Sequence, residues 1–209
     1  MYAISLGDDG AELRPLEPWH AEEFLAHLDR GREFITRHIP FGVGATDVDS
    51  ARAVLRTWAD KRATDNGGLH GLWLDGKLVG GVLFRVFDAV NGTCEVGCWL
   101  EPAGSGRGLV TRAMRVLIDW AVDGRGIHRV EWRASSANEP SIKVARRLGM
   151  SRDGVLRGTP STGACARTPR CGRCSRPSGG RHARVPLTTI IKKPLRERPY
   201  GARHGNQDS

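Results

Sequence analysis

A glycine-rich turn at residues 105–108 sets the strongest constraint on how this chain can fold. Its sequence, Ser-Gly-Arg-Gly, leads directly into a segment of helical periodicity that begins at Leu109, which predicts a tight turn opening a helix. Glycine lets the backbone approach a ligand closely, and the free N–H groups of a helix start attract anions. The pattern therefore predicts a cradle for a pyrophosphate, to which Arg107 and Arg112 add positive charge.

A second polar helix start is predicted at Asn138, thirty residues after Gly108. Asn138 is followed at i+3 by Ser141, and the helix that they begin ends at Gly149, where glycine is a common C-terminal cap. A strand predicted over residues 128–134 precedes it. This order of phosphate cradle, strand and polar helix start is typical of acyltransferases that use coenzyme A.

Charge and aromatic residues divide the chain into two parts. Residues 1–157 carry 21 basic and 21 acidic side chains, all six Trp and all five Phe, whereas residues 158–209 supply the whole net charge of +9. No apolar run approaches the length of a membrane span, and the start of the chain has no signal-peptide pattern. We therefore expect a cytoplasmic protein with one globular domain over 1–157 and a basic, low-complexity tail over 158–209.

Hydrophobic periodicity and turn residues predict an α/β (α+β) fold for residues 11–157. Asp75-Gly76 and Asn91-Gly92 mark the hairpin turns of a three-strand meander. Asp47 or Asp49 is predicted to cap the helix that runs to about residue 63. Trp120 is predicted to face inwards from its helix. The predicted strands are 11–16, 69–74, 77–87, 93–100 and 128–134, and the predicted helices are 19–30, 47–63, 109–122 and 141–148. Residues 32–35 either extend the first helix or start a second turn.

These motifs resemble the GNAT acetyltransferases. The matching segments are Glu95–Leu100, the turn from Ser105 to Val110 and the Asn-x-x-Ser of Asn138 and Ser141, and the likeness covers most of residues 11–157. Within the superfamily they are most similar to the branch that acetylates the N-terminal Ser or Ala of ribosomal proteins. The resemblance implies the GNAT acyl-CoA N-acyltransferase fold, in which helices flank a central, mixed and mostly antiparallel sheet. It also implies acetyl-CoA as co-substrate, with no metal ion.

The resemblance further implies which residues form the site. In the family, the strand that matches Trp99 and Leu100 splays away from the next strand and holds the pantetheine arm through its backbone. Glu95 is the candidate base for the amine, and Ser141 is the candidate acid for the departing thiolate. The alternatives are that Glu95 is an exposed strand carboxylate and that Asn138 and Ser141 only cap a helix. The implied cofactor-binding residues are Trp99, Leu100, Ser105, Gly106, Arg107, Gly108, Leu109, Val110, Thr111, Asn138 and Ser141.

The acceptor stays open between two kinds of amine. The branch implies the N-terminal amine of a ribosomal protein, and a small-molecule amine is the alternative. A homodimer is the assembly to expect, and a coenzyme A-binding remnant without activity is a second hypothesis. Nucleic acid is a poor partner, because Tyr200 is the only aromatic residue of the basic tail.

The composition of the tail predicts a change of reading frame near Arg157. The tail is rich in residues with GC-rich codons, and the codons of residues 158–180 permit another frame that supplies aromatic residues, acidic residues and a final alternating strand. We therefore expect that the last strands of the sheet are missing, which leaves an open edge, and that the tail is disordered. Cys171-x-x-Cys174 lacks partners at zinc-ligand spacing, so no metal site is predicted there.

Overall fold

The computed structural model describes residues 3–37, 39, 42–155 and 186–191, the last of these as backbone. One eight-stranded sheet and four α-helices make up this part of the chain. The strands are β1 (Ile4–Ser5), β2 (Ala11–Pro15), β3 (Gly68–Leu74), β4 (Lys77–Asp88), β5 (Thr93–Leu100), β6 (Arg129–Ser135), β7 (Arg152–Val155) and β8 (Pro186–Ile191). The helices are α1 (Ala21–Thr36), α2 (Val48–Ala63), α3 (Leu109–Asp119) and α4 (Glu139–Arg147).

The strands lie in the order β1-β2-β3-β4-β5-β6-β8-β7. All neighbours are antiparallel except β5 and β6, which are parallel and are connected through α3. The sheet is therefore mixed and mostly antiparallel, and helices flank it, as the resemblance implied. No helix in the described ranges has the length and apolarity needed to cross a bilayer.

The sheet separates two apolar clusters. One contains Leu117 of α3 and Ala145 of α4, and the other contains Phe24 of α1 and Leu55 of α2. Successive side chains of a strand point to opposite faces, so β5 contributes Val96 to the first cluster and Trp99 to the second. This alternation decides which side chains of β5 can face each helical layer.

Identifiable contacts set the start of α2 and the course of α1. Of the two acidic residues predicted to cap α2, Asp47 is the cap: its carboxylate accepts a hydrogen bond from the backbone N–H of Ser50 at 2.8 Å. Helix α1 continues to Thr36, so residues 32–35 extend the first helix and do not start a second turn. Gly31 lies inside it because a Cβ there would stand only 3.0 Å from the Cβ of Glu101.

The inward orientation predicted for Trp120 is wrong. Its side chain is 37% exposed and lies at the rim, with ring-centroid distances of 5.5 Å to Phe87 and 5.7 Å to Phe84. The cause is a π-helical turn at Trp120–Gly124, which follows α3 and breaks the 3.6-residue period from which the prediction was made.

The expectation that the last strands are missing is also wrong. β8 pairs antiparallel with both β6 and β7, so residues 186–191 extend the sheet and are not disordered. Four of these six residues are the β-branched Thr188, Thr189, Ile190 and Ile191, a run that favours a strand and that the basic composition around it hid. The rest of 156–209 lies outside the described residues, and both the frameshift and the domain boundary stay predictions.

Candidate active site

β5 and β6 pair with each other over only part of their length. The parallel register runs from Thr93 opposite Arg129 to Val96 opposite Trp132, and both strands then continue without pairing to each other. β4 stays paired with β5 as far as Leu100, and β8 stays paired with β6 as far as Ser135. The two strands therefore splay, and a gap opens between residues 97–100 and 133–135, as the resemblance implied.

The glycine turn follows β5 and leads into α3. Gly106 and Gly108 have φ angles of 81° and 70°, which glycine adopts without strain, and no atom lies within 4 Å of a Cβ built on either residue. The backbone N–H groups of residues 106–111 donate to no group in the described part of the chain, whereas the N–H of Arg112 bonds to the Gly108 carbonyl. Open space, free donors and a helix start together form a site that fits an anion.

Arg112 does not supply the free positive charge that was predicted for it. Its guanidinium makes two hydrogen bonds to the Asp9 carboxylate, at 2.8 and 2.6 Å, and donates to the carbonyls of Leu6 and Arg107. The hydrogen bond from Arg112 lowers the pKa of Asp9, and the bond to Asp9 raises the pKa of Arg112. Arg112 therefore braces the turn against the amino terminus, while Arg107 remains exposed.

Several implied cofactor-binding residues can act only through their backbone. The side chains of Leu109, Val110 and Thr111 are buried at the start of α3. Trp99 is buried against α1, and Leu100 packs against the opposite cluster. Except for the half-buried Leu100, these residues therefore offer backbone groups, and not side chains, at the gap and at the turn.

The start of α4 brings Asn138 and Ser141 together. The Asn138 side-chain oxygen accepts from the backbone N–H of Ser141 at 3.2 Å, so Asn138 caps the helix. The indole Nε1 of Trp132 donates to the Ser141 hydroxyl at 2.9 Å. Since an indole N–H can only donate, Ser141 must accept this bond, and its own proton is left to point elsewhere.

Glu95 is not an exposed strand carboxylate. Its residue is 8% exposed, and its carboxylate oxygens lie 3.0 Å from the guanidinium of Arg85 and 3.6 Å from that of Arg133. Its neighbour on β6 is Glu131, which is bonded to Arg129 and Arg133. Burial acts to raise the pKa of Glu131, but the bonds from the two arginines outweigh it and the pKa is lowered.

Glu95 and Ser141 lie on opposite faces of the sheet at the level where the gap begins. Glu95 is paired in register with Glu131, and the next residue of β6 is Trp132, whose indole reaches Ser141 on the α4 side. Neighbouring residues of a strand point to opposite faces. A group seated in the gap would therefore have the carboxylate on one side and the hydroxyl on the other.

Sequence reasoning missed a buried polar cluster beside this gap. The Trp99 indole Nε1 donates to His27 Nε2 at 3.0 Å, and His27 Nδ1 lies 3.0 Å from the Glu101 carboxylate. Arg30 bonds to the same carboxylate at 3.1 Å and to the Leu78 carbonyl at 2.8 Å. The one local signal was a histidine placed among the apolar positions of α1. Among the described residues, no group of three or more His, Cys, Asp and Glu is arranged to hold a metal ion.

Comparisons with known proteins agree with this geometry. The family model described as "Acetyltransferase (GNAT) domain" matches residues 11–151. The Bacillus subtilis protein YdaF, named as a candidate ribosomal N-acetyltransferase, is 30% identical over 146 residues, which cover 69% of this chain and 80% of YdaF.

Solved structures share the fold at low identity. The ribosomal L7/L12 alpha-N-protein acetyltransferase RimL, in complex with coenzyme A, superposes with a TM-score of 0.76 at 14% identity. The match covers 91% of this chain and 97% of the RimL chain. The microcin C7 self-immunity acetyltransferase MccE, in complex with acetyl-CoA and AMP, superposes with a TM-score of 0.77 at 18% identity. This match covers 91% of this chain and 96% of the MccE chain. From the family match and from the splayed strands with their glycine turn, we conclude that this chain belongs to the GNAT acetyltransferase family.

Proposed function

We propose that this protein transfers the acetyl group of acetyl-CoA to the N-terminal amine of a protein, with a ribosomal protein as the acceptor class. One observation carries the proposal: the gap between β5 and β6 leads to a glycine turn whose N–H groups are free. Support for the acceptor class comes from the names of similar proteins, which include ribosomal N-acetyltransferases. The homodimer and the cytoplasmic location stay predictions from the sequence.

The turn and the strand would hold different parts of the co-substrate. The N–H groups of residues 106–111 would receive the pyrophosphate, because the open space above Gly106 and Gly108 lets it approach the backbone. The unpaired edge of residues 97–100 would hold the pantetheine arm as an added strand is held. The Asn138 amide nitrogen, which the capping bond leaves unused, is a further donor at the α4 side of the gap.

Glu95 and Ser141 would divide the proton transfers between the two faces of the sheet. The amine nitrogen forms a bond to the acetyl carbon and the carbon–sulfur bond breaks, so one proton must leave the nitrogen and one must reach the sulfur. Glu95 takes the proton of the amine, directly or through a water, while Arg85 and Arg133 fix the orientation of its carboxylate. Ser141 gives its hydroxyl proton to the thiolate, since the Trp132 indole has left that proton free.

The acceptor would approach over the face that carries Glu95. On this face α1 and α2 pack on β3, β4 and β5, whereas α3 and α4 lie on the other face. The side chains of Glu95 and Glu131 lie on this face, where Arg85, Arg129 and Arg133 balance their charges. The position of Glu95 as the candidate base, and not a net negative charge, is therefore what supports an approach from this face.

The test is release of coenzyme A thiol from acetyl-CoA in the presence of short peptides that begin with Ser or Ala. The matched control is the same peptide with a blocked N-terminus and a free lysine. We expect thiol release with the free peptides alone, together with a rise in melting temperature on addition of acetyl-CoA. Turnover with a polyamine or an aminoglycoside, and none with the peptides, would mean that the acceptor is a small-molecule amine and not a protein N-terminus. A thermal shift without turnover on any amine would make the protein a coenzyme A-binding remnant.

A further inference from the structure

The buried contact between Trp99 and His27 joins two parts of the molecule that have different tasks. Trp99 lies at the splayed end of β5, and His27 lies in the middle of α1 with no exposed surface. Glu101, the residue after β5, accepts from His27 and from Arg30 and also begins the segment that leads to the glycine turn. The chain of bonds therefore runs from the edge of the gap to helix α1.

The hydrogen-bond partners decide the protonation state of His27. The Trp99 indole can only donate, so His27 Nε2 must be the unprotonated acceptor. His27 Nδ1 then carries the proton and donates it to the Glu101 carboxylate. The ring is consequently a neutral imidazole with one defined tautomer, and burial lowers its pKa in agreement with this state.

The end of β5 depends on this contact because β6 does not support it. From Gly97 to Leu100 the strand keeps only β4 as a neighbour in the sheet. The Trp99 ring lies over β4, where Gly81 makes room for it: a Cβ there would stand 2.0 Å from the ring. The indole nitrogen is thus the point at which the free side of β5 is held, and its partner is His27.

We propose that His27 is a positioning residue for acetyl transfer. By accepting from Trp99 and donating to Glu101, it fixes the splayed end of β5 and so aligns the thioester with Glu95 and Ser141. This inference rests on the proposed function. Glu101 keeps its bond from Arg30 and its backbone bond to the Val79 carbonyl when the imidazole is lost, so the turn that follows it stays anchored. Binding of the phosphates should therefore not depend on the imidazole.

The kinetic test compares three variants of the full chain with the wild type. His27→Leu removes both bonds and should lower kcat roughly ten- to hundredfold, because small misplacements at a reacting centre cost that much. The KM for acetyl-CoA should stay within about twofold, since a lost alignment of the transition state appears in kcat. His27→Gln offers one acceptor and one donor, as the neutral imidazole does, and should recover most of the loss. Trp99→Phe keeps the ring but loses the indole N–H, and it should behave like His27→Leu.

Leu55→Ala is the matched control for a merely structural role. Leu55 is fully buried in the same apolar cluster, but its side chain has no donor or acceptor and so takes no part in the chain of hydrogen bonds. It should lower the melting temperature and leave kcat per folded molecule unchanged. If His27→Leu does not fold, Trp99→Phe decides the question. A folded His27→Leu or Trp99→Phe with wild-type kcat, a His27→Gln as slow as His27→Leu, or a raised KM with unchanged kcat would each overturn the proposal.

A spectroscopic test does not depend on turnover. Long-range proton–nitrogen NMR spectra of the histidine-labelled protein should show His27 with a protonated Nδ1 and an unprotonated Nε2 at pH 7. The His27→Gln spectrum assigns the signal by its disappearance. A protonated Nε2 would overturn the inference even if the enzyme is active. Conversely, a wild type that acetylates no amine would refute the proposed function while leaving the tautomer result intact.

Discussion

Acidification should destabilise this fold through His70. His70 lies on β3 between Pro15 of β2 and Val82 of β4, is 5% exposed, and its Nδ1 has no hydrogen-bond partner among the described residues. Burial, followed by the charge of Arg62, lowers the pKa of His70 from 6.5 to about 4. The native state therefore keeps this imidazole neutral over a range of pH in which the unfolded chain takes up a proton.

The sign and the size follow from proton linkage. Between pH 6.5 and about 4 the unfolded state binds more protons at this residue than the native state, so the free energy of unfolding falls as the pH falls. At about 1.36 kcal/mol per pH unit, the two pKa values correspond to about 3 kcal/mol in total. Of this, about 2 kcal/mol is lost between pH 7 and pH 4.5, where a two-state titration can still be measured.

The assay is equilibrium unfolding in urea at pH 7 and at pH 4.5 for the wild type, His70→Leu and Val82→Ala. Leucine does not titrate, so His70→Leu should lose about 2 kcal/mol less than the wild type over this interval. Val82→Ala removes packing from the residue opposite His70 and should lower stability at both pH values, with the pH-dependent loss of the wild type. Losses for wild type and His70→Leu that agree within about 0.5 kcal/mol would refute the reasoning.

Three further predictions concern the site and the core. Ser141→Ala should lower kcat about 100-fold as expected for loss of a general acid, and Asn138→Ala should also lower turnover; unchanged rates would remove these roles. Gly108→Ala introduces a side chain at a φ of 70° and into open space, and calorimetry should show coenzyme A binding weakened about tenfold, or about 1.4 kcal/mol. Burial raises the pKa of Cys94 and Cys98 to about 12, so peptide-resolved mass spectrometry should find both unlabelled by iodoacetamide at pH 8 until denaturant is added.

Much of the fold could be predicted because its signals are local. The hairpin turns at Asp75-Gly76 and Asn91-Gly92 and the cap at Asp47 are each encoded within a few residues, and the structure has all three. The glycine turn and the Asn138 cap belong to the same class, so these parts of the candidate site could be identified too. The orientation of Trp120 was predicted wrongly because the hydrophobic periodicity of the sequence does not reveal a π-helical turn.

Contacts between distant residues were out of reach. His27 meets Glu101 across 74 positions of the chain, and Arg112 meets Asp9 across 103, so no local pattern announces either pair. Without its partner, Arg112 was interpreted as a free charge for the ligand. β8 was missed for a different reason, because six residues of strand-forming sequence were averaged with a basic tail.

The contact between Arg112 and Asp9 makes the amino terminus part of any binding equilibrium at the glycine turn. A ligand that restricts the turn must also restrict the segment from Leu6 to Asp9, because one guanidinium holds both. Coupling free energies are reciprocal. A change that loosens the amino-terminal segment therefore lowers the affinity for the ligand by the same factor by which the bound ligand would stabilise that segment. A fusion to the amino terminus, or its removal, should therefore change the affinity for a ligand at the glycine turn, although the two are far apart in sequence.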